Sequence, residues 1–563
     1  MNQKQLIIVK PEKCVGCNAC VRACPAPEAN ITKQLENGKF VTTVNPEKCI
    51  ACGECVKHCE HGARDYVDDT NDAIDAIFRH TEKFIVIAAP AIKTVFPTKW
   101  KNILNWFKSH GCLVYDVSFG AEICTWAHLR AMESGQIKHV ITQPCAAIVR
   151  YVELYQPKLL KNLSPVHSPM LCSVKYIRDY LGRKERIIAL SPCIAKKNEF
   201  NETGMVDFNV TFKKLYDYLL KLGVTIPEDF AEDFQYDFDG QQGLFGSAFP
   251  RIGGLRDNIW LHNPDINITT SEGVHKVYPE LDMYASLPES KKPEIFDVLS
   301  CEYGCNVGAG TGQSRTIFDI GATMHEIENE AKSKRKKTMG LFGRGGEDKL
   351  FKKFDETLDY RDFMRSYTVG LPSHVPSDAE LNDIFAKMGK TTESDKCYDC
   401  HACGYKSCRE MATAIYRGLN TPENCIVNAK RSIACRHRAL SELVENVTKL
   451  LETLTRDVNT IGYGMGAITN ANGRVVERTN AVKDLMTRLK NIVPLIVSEK
   501  DTTLLKDRLN QIVTLLDTII DAFGCVNQYV EDSNIEIVEV GNQVGDIKNL
   551  VSKINETLAS LDI

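Results

Sequence analysis

Arg186-Ile187-Ile188-Ala189-Leu190-Ser191-Pro192-Cys193-Ile194-Ala195-Lys196-Lys197-Asn198-Glu199 runs a short apolar stretch straight into a cysteine motif. A stretch of this length and composition reads as a buried strand, as do Phe84-Ile85-Val86-Ile87-Ala88-Ala89 and His139-Val140-Ile141. The last of these also ends at a cysteine motif, Thr142-Gln143-Pro144-Cys145. A third motif follows downstream, Ser300-Cys301-Glu302-Tyr303-Gly304-Cys305. From about residue 80 to about 370, strand-like runs alternate with helical patterns, which predicts an α/β domain. Ligands of an open parallel sheet bind beyond the carboxyl ends of its strands, so Cys145 and Cys193 are expected to share one site. A site whose ligands come from distant loops has to be assembled by a folded domain.

The rest of the chain bounds this reading. With 563 residues, the length suggests roughly three or four domains. Apolar content of 43% and charged content of 25% describe a globular protein with ample core. The net charge of −4 gives no reason to expect nucleic acid or an anionic membrane surface as partner. No secretory signal is expected from the opening residues, and the most apolar stretch, broken by Pro90, is far shorter than the ~20 residues of a membrane span. A cytoplasmic location is expected. The 22 cysteines are clustered, and in an intracellular chain such clustering favours metal ligation over disulfides. Thiolates held ready for a metal further imply a reducing, anaerobic compartment.

Residues 1–66 carry one cysteine pattern twice. Cys14, Cys17, Cys20 and Cys24 precede Pro25, and Cys49, Cys52, Cys55 and Cys59 repeat the spacing. Each run follows a Pro-Glu-Lys tripeptide, so the segment is an internal duplication. The spacing resembles that of bacterial two-cluster ferredoxins, in which the fourth cysteine of each run ligates the other cluster. The resemblance implies one four-iron-four-sulfur cluster on Cys14, Cys17, Cys20 and Cys59, and another on Cys49, Cys52, Cys55 and Cys24. Glu60 departs from the family by standing where a second proline is usual. Paired zinc knuckles are the alternative. Further on, Cys400, Cys403, Cys408 and Cys425 resemble a small four-iron-four-sulfur module of anaerobic redox proteins, with Cys397 competing for the place of Cys400 and zinc as the competing metal.

The three central motifs, in order and spacing, resemble those of the iron-iron hydrogenases. That resemblance implies an H-cluster, in which Cys145, Cys193, Cys301 and Cys305 hold a cubane and Cys305 bridges to a two-iron centre carrying carbonyl, cyanide and a dithiolate amine. Lys196 matches the lysine that donates to a cyanide, and Ala89-Pro90 matches a segment lining the two-iron pocket. Electrons would pass from the ferredoxin-type clusters to the cubane and on to the irons. The chain also departs from the family. Pro144 stands where efficient members carry the cysteine that hands protons to the bridging amine, and it has no titratable group. Thr125-Trp126-Ala127-His128-Leu129 stands where catalytic members carry glutamates of the proton path, and Ser191 replaces a usual methionine. Losing a general acid costs ~100- to 10,000-fold in rate.

Beyond Arg436 the composition changes. Leu440, Val444, Val447, Leu451, Leu454, Val458 and Ile461 step by heptad spacing, as do Leu505, Leu509, Ile512, Leu516, Ile519 and Phe523, and Val540, Val544, Ile547, Val551, Ile554, Leu558 and Leu561. Gly462 to Gly473 and Pro494 are expected to separate these segments. They read either as signalling helices, weakly resembling the cytoplasmic helices of chemotaxis receptors, or as a bundle for dimerisation. Lys332 to Gly346, basic and glycine-containing, is expected to be an exposed loop, and Cys112, Cys124, Cys172 and Cys525 are expected to be small buried apolar residues.

The expected layout is α/β and multidomain: a two-cluster ferredoxin-like domain at 1–66, a hydrogenase domain at 67–372, a small iron-sulfur module at 373–435 and a helical coiled coil at 436–563. Three functions compete. The first is a hydrogen or redox sensor with slow turnover of hydrogen, read by a downstream signalling protein and acting as a homodimer. The second is a working hydrogenase exchanging electrons with ferredoxin or another redox protein. The third is an electron carrier that has lost its two-iron centre. Retention of Lys196, Cys305 and the glycine-rich Gly308 to Gly312 opposes the third, and Pro144 with the helical tail favours the first.

Overall fold

A computed structural model describes residues 5–26, 28–228, 238–339, 349–368 and 374–496, with scattered helical positions between 506 and 553. The chain forms two compact units, Met1–Asn428 and Ala429–Ile563.

The first unit opens with the duplicated cysteine segment. Strand β1 (Ile7–Val9) pairs antiparallel with β4 (Arg64–Tyr66), and between them β2 (Asn30–Gln34) and β3 (Phe40–Val44) form a hairpin. The duplication extends to the backbone. Gly16 and Ala51 take φ of +73° and +55° at one equivalent position, and Asn18 and Gly53 take +58° and +81° at the other. Both cysteine runs therefore fold through the same left-handed turns, which cost a residue such as Ala51 ~1–2 kcal/mol.

Seven parallel strands follow: β5 (Phe84–Ala88), β6 (Leu113–Asp116), β7 (Val140–Ile141), β8 (Arg186–Ser191), β9 (Phe208–Thr211), β10 (Ile268–Glu272) and β11 (Ile295–Leu299). They make two sheets, ordered β6-β5-β8-β9 and β10-β11-β7. Every residue of β5 and β11 is buried, as expected of parallel strands covered on both faces. Helices Trp100–Ser109 and Phe212–Lys221 supply Ile103, Leu104, Phe107, Leu215 and Leu219 to the core of the first sheet. The second core joins Ile7, Ile50 and Tyr66 of the cysteine-rich segment to Ile148, Val277 and Val298, so the two regions share one apolar interior. A third core packs Val21 against Leu381, Phe385, Met388 and Met411 of the downstream cysteine module.

Helix Val117–Glu133 is buried along nearly its whole length and crosses helix Pro169–Lys175 at Gly120. A Cβ on Gly120 would stand 2.3 Å from the carbonyl oxygen of Pro169, so only glycine lets the two backbones approach this closely.

One expectation is corrected in this unit. Helix Ile317–Met339 takes in the basic residues from Lys332 to Lys337, which are therefore helical rather than a loop; 340–346 lie outside the described residues. Lysine and arginine are good helix formers, and they extend the helix already begun upstream.

In the second unit the dominant element is the helix Ile426–Ile496, 71 residues long. It runs uninterrupted through Gly462 to Gly473, and Pro494 falls in its last turn, where the sequence predicted breaks. Each interior glycine costs ~1 kcal/mol, too little to stop a long cooperative helix, and a proline this near the end disturbs few hydrogen bonds. Val444, Val447 and Leu451 of the first seam bury together, whereas Leu440, Leu454 and Ile461 stay exposed. The later chain returns alongside, since a Cβ on Gly541 would lie 3.9 Å from Val458 Cγ1. The second seam from Leu505 to Phe523 lies outside the described residues. So do Val540, Val544, Val551, Ile554, Leu558 and Leu561, while Ile547 is helical and exposed. Cys525, expected to be buried, is exposed on a helical position. Among the described residues no helix is long and apolar enough to cross a membrane.

Candidate metal centre

Four strand ends from the two sheets converge on one cavity of about 100 Å³. Strand β5 delivers Ala89 and Pro90, β7 Pro144 and Cys145, β8 Cys193 and Lys196, and β11 Cys301 and, a turn later, Cys305. All eight sequence candidates for this site line the same cavity. Apart from the sulfurs, Ser300 and Lys196, its wall is apolar, with Met170, Phe249 and Pro250 among the remaining residues.

The glycine-rich segment after Cys305 is explained by close packing on the second motif. The amide of Gly310 donates to the carbonyl of Pro192 at 3.2 Å, and a Cβ on Gly308 or Gly310 would stand 2.8 Å from that oxygen. At Gly304, φ is +73° and a Cβ would lie 2.2 Å from Pro250 O. The amide of Ser300 donates to Cys145 Sγ at 3.5 Å, which links the first and third motifs directly.

Burial pushes the Cys193 thiol up to about 11, with Cys145 beside it adding to the effect. Cys301 and Cys305 are raised well above the usual range by burial and by the neighbouring thiols. The thiols of Cys193, Cys301 and Cys305 resist ionisation in this apolar wall unless a cation arrives, and an iron cluster supplies that positive charge. Among the described residues, no three His, Cys, Asp or Glu side chains meet closely enough to hold a single metal ion. The donors fit a cluster.

Lys196 is 7% exposed, and its Nζ donates to Glu199 Oε2 at 2.5 Å. Glu199 also accepts from Ser168 Oγ at 3.1 Å and from Arg365 Nη1 at 3.3 Å. Arg365 Nη2 continues to Glu202 Oε2 at 3.3 Å, and the Glu202 side chain is 29% exposed. An ammonium has three hydrogens; the carboxylate takes one and leaves others for a group in the cavity. Sequence reasoning found Lys196 but missed this row. The Glu199 and Glu202 spacing, three and six residues after Lys196 on one helix, was the available signal, while Arg365 carries none.

A second buried polar group escaped it as well. His128 Nδ1 lies 2.8 Å from the carbonyl of Cys124 and 3.7 Å from its sulfur, and His128 Nε2 is 2.8 Å from Ser164 Oγ. Cys124 and Cys172 are fully buried, as expected, but Cys124 has this imidazole for a neighbour. Cys112 is buried, as expected. Nearby, Thr142 Oγ1 donates to Asp297 Oδ1 at 3.2 Å, and burial pushes the Asp297 carboxyl up to about 6.

In the duplicated segment, Cys24 sits beside Cys49 and burial raises its thiol to about 12. Cys52 and Cys55 have Cys24 and Cys49 as charge neighbours, so the fourth cysteine of the first run lies with the second run. Cys20 has Cys14 and Cys17 as its sulfur neighbours. Cys59 is half-buried at the end of the second run. Gly53, next to Cys52, is held against Ala309 and Ile194: a Cβ there would stand 2.3 Å from Ala309 Cβ. The second run is thereby pressed onto the loop that carries Cys305 and the one that carries Cys193.

In the downstream module, Cys400 and Cys425 lie beside Cys403, whose thiol burial raises to about 11. Cys408 opens helix Cys408–Tyr416, where its amide donates to Asp399 Oδ1 at 2.5 Å. Cys397, the competitor of Cys400, is exposed at the end of helix Glu393–Lys396. The module docks on the duplicated segment: Thr32 N donates to Leu419 O at 2.8 Å, Asn18 Nδ2 to Asn424 Oδ1 at 3.1 Å and Arg417 Nη1 to Glu28 Oε1 at 2.9 Å. Cys425 is the residue before the 71-residue helix.

Residues 82–309 match a family described as iron only hydrogenase large subunit, C-terminal domain. Residues 13–63 match a 4Fe-4S dicluster domain, and 398–427 match an Fe-S cluster family. Among solved structures, an apo FeFe-hydrogenase HydA1 variant from Chlamydomonas reinhardtii is 13% identical, at a TM-score of 0.40 over 54% of this chain and 100% of that one. A HydA(deltaEFG) structure on stepwise H-cluster assembly in FeFe-hydrogenase is 12% identical, with a TM-score of 0.40 over 54% of this chain and 99% of that one. The chain thus carries an iron-only hydrogenase-like domain over 82–309, with a 4Fe-4S dicluster domain before it and a short Fe-S segment after it.

Proposed function

We propose that the protein binds an H-cluster through Cys145, Cys193, Cys301 and Cys305, and that it senses hydrogen or redox state while turning hydrogen over slowly. The observation that carries the reading is Pro144. It stands in the wall of a cavity that keeps the thiols and Lys196, and by the resemblance it takes the position of the proton-donating cysteine. Proline has neither a titratable group nor an N–H, so this wall position relays nothing. When bound, a two-iron centre with carbonyl, cyanide and dithiolate supplies the redox metal with an open position. Lys196 holds an anionic ligand by its free ammonium hydrogens, and Glu199 fixes the direction of that ammonium. The apolar wall keeps water out. The pressing of Gly53 onto Ala309 keeps the second ferredoxin-type run close to the cubane ligands, as electron transfer requires.

We also assign Cys14, Cys17, Cys20 and Cys59 to one accessory cluster, Cys49, Cys52, Cys55 and Cys24 to a second, and Cys400, Cys403, Cys408 and Cys425 to a third. That gives roughly 18 irons per chain by ligand count. The protein works in an anaerobic cytoplasm, exchanges electrons with ferredoxin or a similar carrier, and signals as a homodimer to a downstream protein. Infrared spectra of the matured protein, taken with iron analysis and hydrogen turnover, test this. Carbonyl and cyanide bands with slow turnover support it. Their absence in a fully iron-loaded protein overturns the H-cluster, and turnover as fast as that of efficient hydrogenases overturns the sensory role.

A working hydrogenase with another proton route is the second reading. The observation in its favour is Glu199, a buried carboxylate that accepts from Lys196 at the cavity wall and from Ser168 Oγ.

A further inference from the structure

Arg64 opens β4, one residue beyond the segment that matches the dicluster family. Its side chain is 5% exposed, and among the described residues no carboxylate pairs with it. Nη2 donates to Cys20 Sγ at 3.2 Å, to Asn30 Oδ1 at 3.1 Å and to the carbonyl of Thr42 at 3.0 Å. Nη1 is buried with no hydrogen-bond partner in the protein. Guanidinium remains charged under all conditions a protein meets, and burying it without an anion costs several kcal/mol. The neutral amide and carbonyl on Nη2 do not offset that cost.

The anions within reach are sulfurs. Cys20 is hydrogen-bonded to Arg64, and the Arg64 charge also reaches Cys24, Cys49 and Cys55. Cys20 comes from one run and the other three belong to the grouping around the second run. Arg64 therefore stands between the two sets of thiols as a cation facing both. A cluster of four thiolates carries net negative charge, and reduction by one electron makes it more negative. A fixed positive charge and an N–H···S bond favour that reduced form, and hydrogen bonds to the sulfurs and net charge are among the determinants of cluster potential.

We infer that Arg64 is a positioning residue that raises the reduction potentials of both clusters of the duplicated segment, so that they retain electrons. The inference rests on the reading that residues 13–63 hold two clusters. Each reduction adds one electron from an external reductant such as dithionite, with no bond made or broken. Clusters poised this way store the electrons that hydrogen oxidation releases, which suits a protein whose output is its redox state.

The test uses the full-length, iron-loaded protein and a redox titration followed by electron paramagnetic resonance. Arg64→Gln keeps hydrogen bonding to Asn30 and Thr42 but removes the charge. At a fixed potential it is expected to lower the reduced-to-oxidised ratio of the ferredoxin-type clusters about tenfold, which is 59 mV for one electron. Arg64→Lys should fall between the variant and the native protein, and the cluster on Cys400 to Cys425 should not move. A second measurement needs no variant: native protein grown with 15N-arginine should show nitrogen coupling at the reduced cluster in pulsed resonance spectra. Unmoved potentials in a fully loaded Arg64→Gln protein, or no arginine coupling in the native one, overturn the inference. If the native protein gives no ferredoxin-type cluster signal at all, the underlying cluster reading fails instead.

Discussion

At the scale of the residue, Pro144 and Lys196 divide the cavity between what has been lost and what has been kept. Pro144→Cys places a thiol, with an ordinary pKa of ~8.5, in the wall where a relay is missing. Hydrogen turnover is expected to rise, up to ~100-fold if the remaining path delivers protons, as measured by hydrogen evolution from a reduced dye. No increase in a protein with native infrared bands would place the obstacle elsewhere. Lys196→Ala removes the ammonium and leaves Glu199 buried with only Arg365 as its cation. Breaking a buried pair costs ~3–5 kcal/mol, so part of the effect will be on stability. Loss of the carbonyl and cyanide bands, with the ferredoxin-type signals intact, is the expected outcome. Glu199→Gln, which keeps the lysine, should retain the bands, and a variant lacking Lys196 with unchanged bands would remove it from the pocket.

His167 makes a residue-scale prediction about pH. Burial, with Arg365 nearby, pushes its imidazole down to about 4, and its Nδ1 is buried without a partner in the protein. In the unfolded chain the same group titrates near ~6.5. Above that value both states are neutral and the stability is full. As pH falls from ~6.5 to about 4 the unfolded state takes up a proton that the folded state refuses, and up to ~3 kcal/mol is lost. His167→Gln should flatten the decline in denaturation midpoint between pH 7 and 5, and an unchanged slope would show that other groups set it.

Among the elements, the decisive contact is the crossing at Gly120. Adding a methyl there puts carbon 2.1 Å from Ser173 Oγ and 2.3 Å from Pro169 O, and the second of these is backbone that cannot rotate away. Gly120→Ala should destabilise the first unit by ~1–3 kcal/mol and shift Met170, which lines the cavity. A lowered melting temperature with weakened carbonyl and cyanide bands is expected, and a native melting curve would show that the helices part freely. Gly120 also marks what the sequence left unread. The strands and the cysteines were legible because apolar runs and thiol spacings are local properties. The crossing partners, the Arg365 link to Glu199 and the Arg64 bond to Cys20 join residues far apart in the chain, and no local pattern announces them. The long helix failed in the opposite way. Gly462 and Pro494 are strong local signals for breaks, but the cooperativity of a 71-residue helix outweighs them.

For the whole molecule, the question is whether the helical unit reads the metal centres or only assembles the protein. Cys425, assigned here to the third cluster, directly precedes the helix Ile426–Ile496, so that cluster and the helix are joined through one residue of backbone. The same module is bonded to the duplicated segment through Asn18, Glu28 and Thr32. A helix with Leu440, Leu443, Leu450, Leu454 and Ile461 exposed has apolar surface left to pair with a second copy or another protein. Transmission needs packing with two arrangements that the clusters bias. Truncation after Arg436 is therefore expected to leave iron content and hydrogen turnover nearly native while changing the oligomeric state seen by light scattering. In the full-length protein, hydrogen gas should alter amide exchange beyond Leu440 relative to an oxidant. Identical exchange under hydrogen and under the oxidant, with the oligomer still lost on truncation, would make the tail an assembly device and favour the working hydrogenase. A truncated protein that loses the third cluster would instead show that the helix holds Cys425 in place, coupling the two through structure alone.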